Sequence, residues 1–172
     1  SNKLEEHGLR RRTKLLSVTK PARYVGGEYN QVIKNKDNIK CRFAFCFPDV
    51  YDIGMANLGM KILYNVLNKR EDTWCERVFA PWPDFEKILR EEKIELYGLE
   101  SKDSIREFDI IGFTLQYEMI YTNILNMLEL ANIPVFSKDR KNEYPFVIAG
   151  GPCASNPAPL SKFIDAFLLG EG

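Results

Sequence analysis

Three carboxylates, four thiols and one imidazole are the groups in this sequence best suited to catalysis or metal binding, and their positions decide how far each can be taken. Asp49, Asp52 and Glu118 stand just beyond two apolar runs. Gathered together they would make the acidic cluster of a magnesium-dependent phosphoacceptor, whereas carboxylates in such places more often cap helices or face water. Cys41, Cys46, Cys75 and Cys153 include no CxxC pair. Cys41 and Cys46 are an odd number of positions apart on an expected strand, so they point to opposite faces of a sheet and suit a shared metal poorly. Buried thiols of a reducing compartment are the plainer reading for three of them. Cys153 stands apart, beside a glycine turn. The sole histidine, His7, falls in a charged N-terminal stretch. That excludes a Ser/His/Asp or Cys/His arrangement among the loops.

Phosphate-binding motifs are missing as well. No GxxxxGK[ST] occurs, and Gly54-Met55-Ala56-Asn57-Leu58-Gly59 lacks the middle glycine of GxGxxG. What remains is a set of loops suited to binding. Glycines at strand ends, Gly54, Gly150, Gly151, Gly170 and Gly172, let a backbone approach a ligand and expose its amides. Tyr51, Gln116 and Tyr117 supply a flat wall and hydrogen bonds for a large planar cofactor.

These loops need strands to hold them. CRFAFCF (41–47) reads as a central parallel strand, apolar on both faces, followed by a loop over 48–57 and an amphipathic helix whose Gly59, Ile62, Leu63, Val66 and Leu67 pack on the sheet. WCERVFA (74–80) is a second strand, 85–92 a helix, and 94–99 a short edge strand or a connecting segment. The run 108–115 is a strand buried on both faces, leading into a helix through Tyr121, Ile124, Leu125, Leu128 and Ala131 that ends near Asn132 and Pro134. Strands at 145–149 and 166–169 follow, with a helical turn at 160–163 between them. Strand and helix alternate about five times, which predicts an α/β, doubly wound, mostly parallel five-stranded sheet, Rossmann-like or flavodoxin-like, in the order 2-1-3-4-5. Residues 1–38 form an N-terminal arm and connector, and 39–172 the domain. The chain stops at the carboxyl end of a strand, so a piece of a longer protein is expected.

Composition narrows the partners. Lys and Arg number 24, balanced by 24 Asp and Glu, so no global field draws nucleic acid or an anionic membrane. Arg10, Arg11, Arg12 and Lys14 lack interleaved aromatics and read as a solvated arm. No apolar run approaches a membrane span and no signal core is present, which predicts a cytoplasmic protein.

FAFCFPDVYDIGMANLGMKILYNVLN, VFAPWPDFEKILR, DIIGFTLQYEMIYTNILNMLELANIPVF and FVIAGGPCASNPAPLSKFIDAFLLGEG, with KPARYVGGEYNQV before them, resemble the N-terminal region of a bacterial family of cobalamin-binding-domain radical SAM proteins. The resemblance covers nearly everything after Ser17. It implies a Rossmann-like cobalamin-type domain ahead of a partial (β/α) barrel that binds an iron–sulfur cluster and S-adenosylmethionine. The barrel's CxxxCxxC is absent here, as is the DxHxxG that ligates cobalt in other cobalamin proteins. The implied role is a binding surface for corrinoid or substrate, with the reactivity supplied by the downstream barrel. Matched residue by residue, the contacts would be Tyr51, Asp52, Ile53, Gly54 and Asn57; Thr114, Leu115, Gln116 and Tyr117; Gly150, Gly151 and Pro152; and Gly170, Glu171 and Gly172. The alternative is a degenerate interaction module whose loop edge, with Tyr51, Tyr117 and Trp82, docks the barrel or a partner protein.

Overall fold

The computed structural model describes residues 22–117 and 120–169, together with Val18 and Lys20. Five strands, β1 (Cys41–Phe47), β2 (Thr73–Phe79), β3 (Ile110–Thr114), β4 (Phe146–Gly150) and β5 (Ala166–Leu168), form one parallel sheet. Their order is β2-β1-β3-β4-β5, as the alternation of strands and helices predicts. The helices are α1 (Ala22–Val25), α2 (Tyr51–Ala56), α3 (Leu58–Asn68), α4 (Pro83–Glu91) and α5 (Tyr121–Leu130). Local chemistry sets their ends. Asn57 caps α3 by accepting from the Met60 amide at 2.9 Å. Proline opens α4, with Asp84 and Glu86 in its first turn and Arg90 in its last, as the helix dipole favours. Beyond α5, Asn132 turns left-handed at φ 54° and stops the helix.

Most of the core lies on one side of the sheet. Ala44 and Cys46 of β1, Ile111 and Phe113 of β3, and Val147 and Ala149 of β4 pack there against Phe85 and Leu89 of α4 and Ile124, Met127 and Leu128 of α5. The other side holds a smaller cluster, Phe45, Phe47 and Cys75 against Met60 and Tyr64 of α3. Cys46 thus lies on the opposite face from Phe45 and Phe47, as strand alternation requires. Burial pushes the Cys46 and Cys75 thiols well up, so both are inert packing groups.

Three expectations need correction. Residues 48–57 are not an open loop: six of them wind into α2, whose first turn closes with the Gly54 amide donating to Val50 at 3.1 Å. In α3 the inward residues are Met60 and Tyr64, while Ile62, Leu63 and Val66 are exposed, because their apolar stripe faces away from the sheet. The strand at 108–115 is not fully covered on its second face: Gly112 is buried there under the Phe43 ring, but Ile110 and Thr114 are only half-buried, and in β4 burial alternates, with the closed side facing α4 and α5. Of the two forms expected for 94–99, the structure has the connecting segment, with one antiparallel bridge between Tyr97 and Ser104.

The β2 edge, whose outward peptide groups would otherwise be open to pairing with another chain, is closed mainly by side chains. Lys34 donates to the Thr73 carbonyl at 2.6 Å, and the Asn68 amide bonds both the N–H and C=O of Cys75, at 2.9 and 3.0 Å. Leu99 donates to the Arg77 carbonyl at 2.9 Å, and Glu100 accepts from the Arg77 amide at 2.9 Å. Glu100 also takes the Arg77 guanidinium at 2.8 Å and the Tyr64 hydroxyl at 2.9 Å, with its side chain fully buried. On the opposite face of β2, Glu76 receives Arg42 at 2.6 Å and the Ser101 amide at 2.7 Å. The N-terminal connector joins in here: Tyr24 is buried and stacks on Phe85, whereas Tyr29 is fully exposed. The charged arm before it, apart from Val18 and Lys20, lies outside the described residues.

Breaking a buried pair leaves the partner charge unpaired, at a cost of about 3 to 5 kcal/mol. Glu100→Gln is therefore expected to lower unfolding stability by about 3 kcal/mol, read from the urea midpoint at constant slope. A loss within error would show that the pair does not seal the edge.

Candidate functional site

In this strand order the switch point lies between β1 and β3, where chains leave in opposite directions and a crevice forms at the carboxyl rim. The loops after β1, β3 and β4 are tied together there. Leu115 donates to the Gly150 carbonyl at 2.6 Å, and Cys153 donates back to the Leu115 carbonyl at 3.0 Å. The Tyr117 hydroxyl donates to Asp49, bridging the end of β3 to the end of β1. From α5, the Asn123 amide holds the Pro48 carbonyl at 2.9 Å.

Gly151 must be glycine for a reason internal to this arrangement. Its φ is 109°, a left-handed value, and an added Cβ would stand 2.9 Å from the Leu115 oxygen and 3.1 Å from its nitrogen. The β3 loop thus lies directly against the β4 turn. Gln116 spends its amide on the Thr114 hydroxyl at 2.7 Å, which leaves its own oxygen free to accept. Gln116 is half-buried; Tyr117, Gly151 and Pro152 are exposed; Leu115 is fully buried as core.

The residues expected from the first loop sit differently, since α2 carries them toward β2. Tyr51 sets its ring edge-on to Phe79 at 5.3 Å and donates to Glu28 at 3.0 Å. Asp52 pairs with Arg23 at 2.5 Å, and the Arg23 guanidinium lies 4.5 Å over the Trp82 ring. Gly54 is pressed against the Phe79 and Phe47 rings, and Asn57 is the cap of α3. Ile53 is exposed. The expected site therefore divides in two. Thr114, Gln116, Tyr117, Gly150, Gly151 and Pro152 share one stretch of rim, and Tyr51, Asp52, Gly54 and Asn57 are engaged by other parts of the fold, Asp52 at the surface. Gly170, Glu171 and Gly172 lie outside the described residues, as does Glu118. Asp49 and Asp52 engage separate partners, and among the described residues no three His, Cys, Asp or Glu side chains form a metal-holding group. Glu28 and Arg23, which fix the first loop, fall in the KPARYVGGEYNQV stretch, but nothing in their spacing marks them as its partners. Asp49 was legible only as a carboxylate and acts here as the acceptor that positions Tyr117.

What this rim offers chemically is a seat: an exposed phenol, an amide oxygen and backbone held rigid by neighbouring loops. It contains no paired base and nucleophile among the described residues. A doubly wound α/β domain with a binding rim at its switch point is the class these features define.

Comparison with known proteins gives the family. Residues 59–172 match the model described as "Radical SAM proteins, N-terminal", so the chain belongs to that family. A relative from Methanocaldococcus jannaschii, named only as an uncharacterized protein, is 30% identical over 131 residues, covering 74% of this chain. The chain spans 23% of that relative's length. No solved structure matches it. No helix among the described residues is long and apolar enough to cross a membrane.

The bond to Asp49, followed by burial and the Asp49 charge, raises the Tyr117 phenol from 10.0 to about 12. The difference in ultraviolet titration between wild type and Tyr117→Phe should accordingly appear near pH 12. In an Asp49→Asn background it should fall back toward 10.0. An ordinary value in the wild type would mean that the bridge across the crevice is not formed.

Proposed function

We propose that this domain serves its radical SAM protein as a non-catalytic binding module. The rim from Thr114 to Tyr117 and from Gly150 to Pro152 faces the reaction space of a downstream barrel and seats a corrinoid or the substrate. The iron–sulfur cluster and S-adenosylmethionine belong, in this reading, to that barrel. The observation that carries it is the interlocking of the β3 and β4 loops at the switch point, with Gln116 and Tyr117 held at the outer surface.

The residues suit a flat group resting on the rim. Tyr117 presents an aromatic edge and hydroxyl, Gln116 a free amide oxygen, and Gly151 an exposed backbone beside Pro152. The described residues include no imidazole, so a corrinoid would be held by these contacts rather than through a protein ligand to its metal. When bound, that cofactor would supply methyl-transfer or redox chemistry of its own. The chain's part is to orient the group and to keep one side of it against the protein. Docking of the barrel by the same domain gains separate support from an apolar surface away from the rim, discussed below.

The test uses the full-length protein mixed with hydroxocobalamin, desalted and read by visible absorbance. Retained corrin is expected, and Gln116→Ala combined with Tyr117→Phe should lower it several-fold with an unchanged circular dichroism spectrum. Absence of corrin absorbance in the wild type would contradict the corrinoid seat. Full retention in the double variant would contradict its location.

A further inference from the structure

Parallel sheets are ordinarily covered on both faces, because each crossover lays a helix on one of them. Here one half of one face is bare. On the side facing α4 and α5, Ile111, Phe113, Val147 and Ala149 are all buried. On the reverse side of the same strands, Ile110 and Ile148 are only half-buried, and Phe146 and Leu168 are 51% and 60% exposed. Strand register puts these residues in adjacent rows: Ile110 beside Phe146, Ile148 beside Ala166, Gly150 beside Leu168. The Phe43 ring, lying over Gly112, marks where cover from the α3 side ends. Beyond it the surface is apolar and open.

Topology says what is missing. Right-handed crossovers place α3, between β1 and β2, on this face. The links β2–α4–β3 and β3–α5–β4 run over the other face, and the turns Pro152–Ser155 and Ala158–Leu160 between β4 and β5 join the core there. Polypeptide continuing from β5, at the sheet's edge, meets one face already filled and one face bare. The bare strip from β3 to β5 is about 10 Å wide at the usual strand spacing, and a helix with its side chains is about 10–12 Å across. One helix beside α3 would close it. Val18 packs in the opposite core. The relative's greater length shows that such proteins carry ample further chain.

We infer that, in the radical SAM protein, an amphipathic helix from the segment following β5 packs antiparallel to the strands across β3, β4 and β5. This completes the second face of the sheet and carries the chain to the amino end of the strands. The occupant must present an aliphatic stripe to Phe146, Ile148 and Leu168 and a polar face to water. This inference concerns a surface apart from the rim and stands or falls independently of corrinoid binding.

Hydroxyl-radical footprinting of the full-length protein tests it, with a control of the same residue type. Phe136 is 44% exposed, much as Phe146 is, but packs on Phe163, away from the bare face. Phe146 should label several-fold more slowly than Phe136, and lysine cross-links from Lys61 and Lys141 should reach the segment just after β5. Equal labelling of the two phenylalanines would overturn the inference. So would protection of Phe146 accompanied by cross-links between isotopically distinct copies, which would assign the face to a second copy instead.

Discussion

The handedness of parallel crossovers is the constraint from which the rest of this structure follows. Each of the four links joins two parallel strands, so each must pass over a determined face of the sheet. With β1 placed second in the order, one link covers one face and three cover the other. The deep core, the half-bare surface and the meeting of loops at the β1/β3 crevice are consequences of that single arrangement. Packing then supplies the stability that the arrangement permits. The side with three links buries the β3 and β4 residues that face it, while α3, with Gly54 of α2 and Val32, covers the reverse side of β1 and β2.

The exposed edge of β2 is closed by polar chemistry rather than by another strand. Glu100 illustrates how closely the parts depend on one another, since it satisfies a backbone amide, a buried guanidinium and a buried phenol together. A carboxylate taken out of water is costly unless it is paired and hydrogen-bonded, and here three donors reach it. The same neighbourhood anchors the first loop, through Glu28 to Tyr51 and Arg23 to Asp52. Those contacts occupy Tyr51 and Asp52, while Gln116 and Tyr117 stay at the outer surface of the rim.

Strand order was legible because alternating apolar runs and helical stretches permit few right-handed topologies. The β3 and β4 loops were legible because polar and glycine residues directly follow apolar strands, as with Thr114-Leu115-Gln116 and Gly150-Gly151. The first loop was misread for a local reason: Tyr51 to Ala56 contains a glycine and follows a proline, yet it winds into a turn of helix because Gly54 packs where no Cβ fits, against Phe79 and Phe47. Exposure of Ile62 and Val66 could not be read from periodicity, because α3 is apolar on both its inner and outer sides. The pairings of Arg23, Glu28 and Glu100 join positions far apart in the chain, and no pattern of spacing encodes them.

The account's central claim is that this domain does not stand alone but is seated, through apolar surface, on the remainder of a radical SAM protein. Producing residues 1–172 and the remaining polypeptide as two separate chains in one cell, and purifying by a tag on one of them, tests this directly. Screening at about 1 M salt reduces the Debye length to about 3 Å and removes long-range charge attraction. The account predicts that the two chains still co-purify under that condition as a stoichiometric complex. Elution of the domain by itself, folded and soluble, would contradict it.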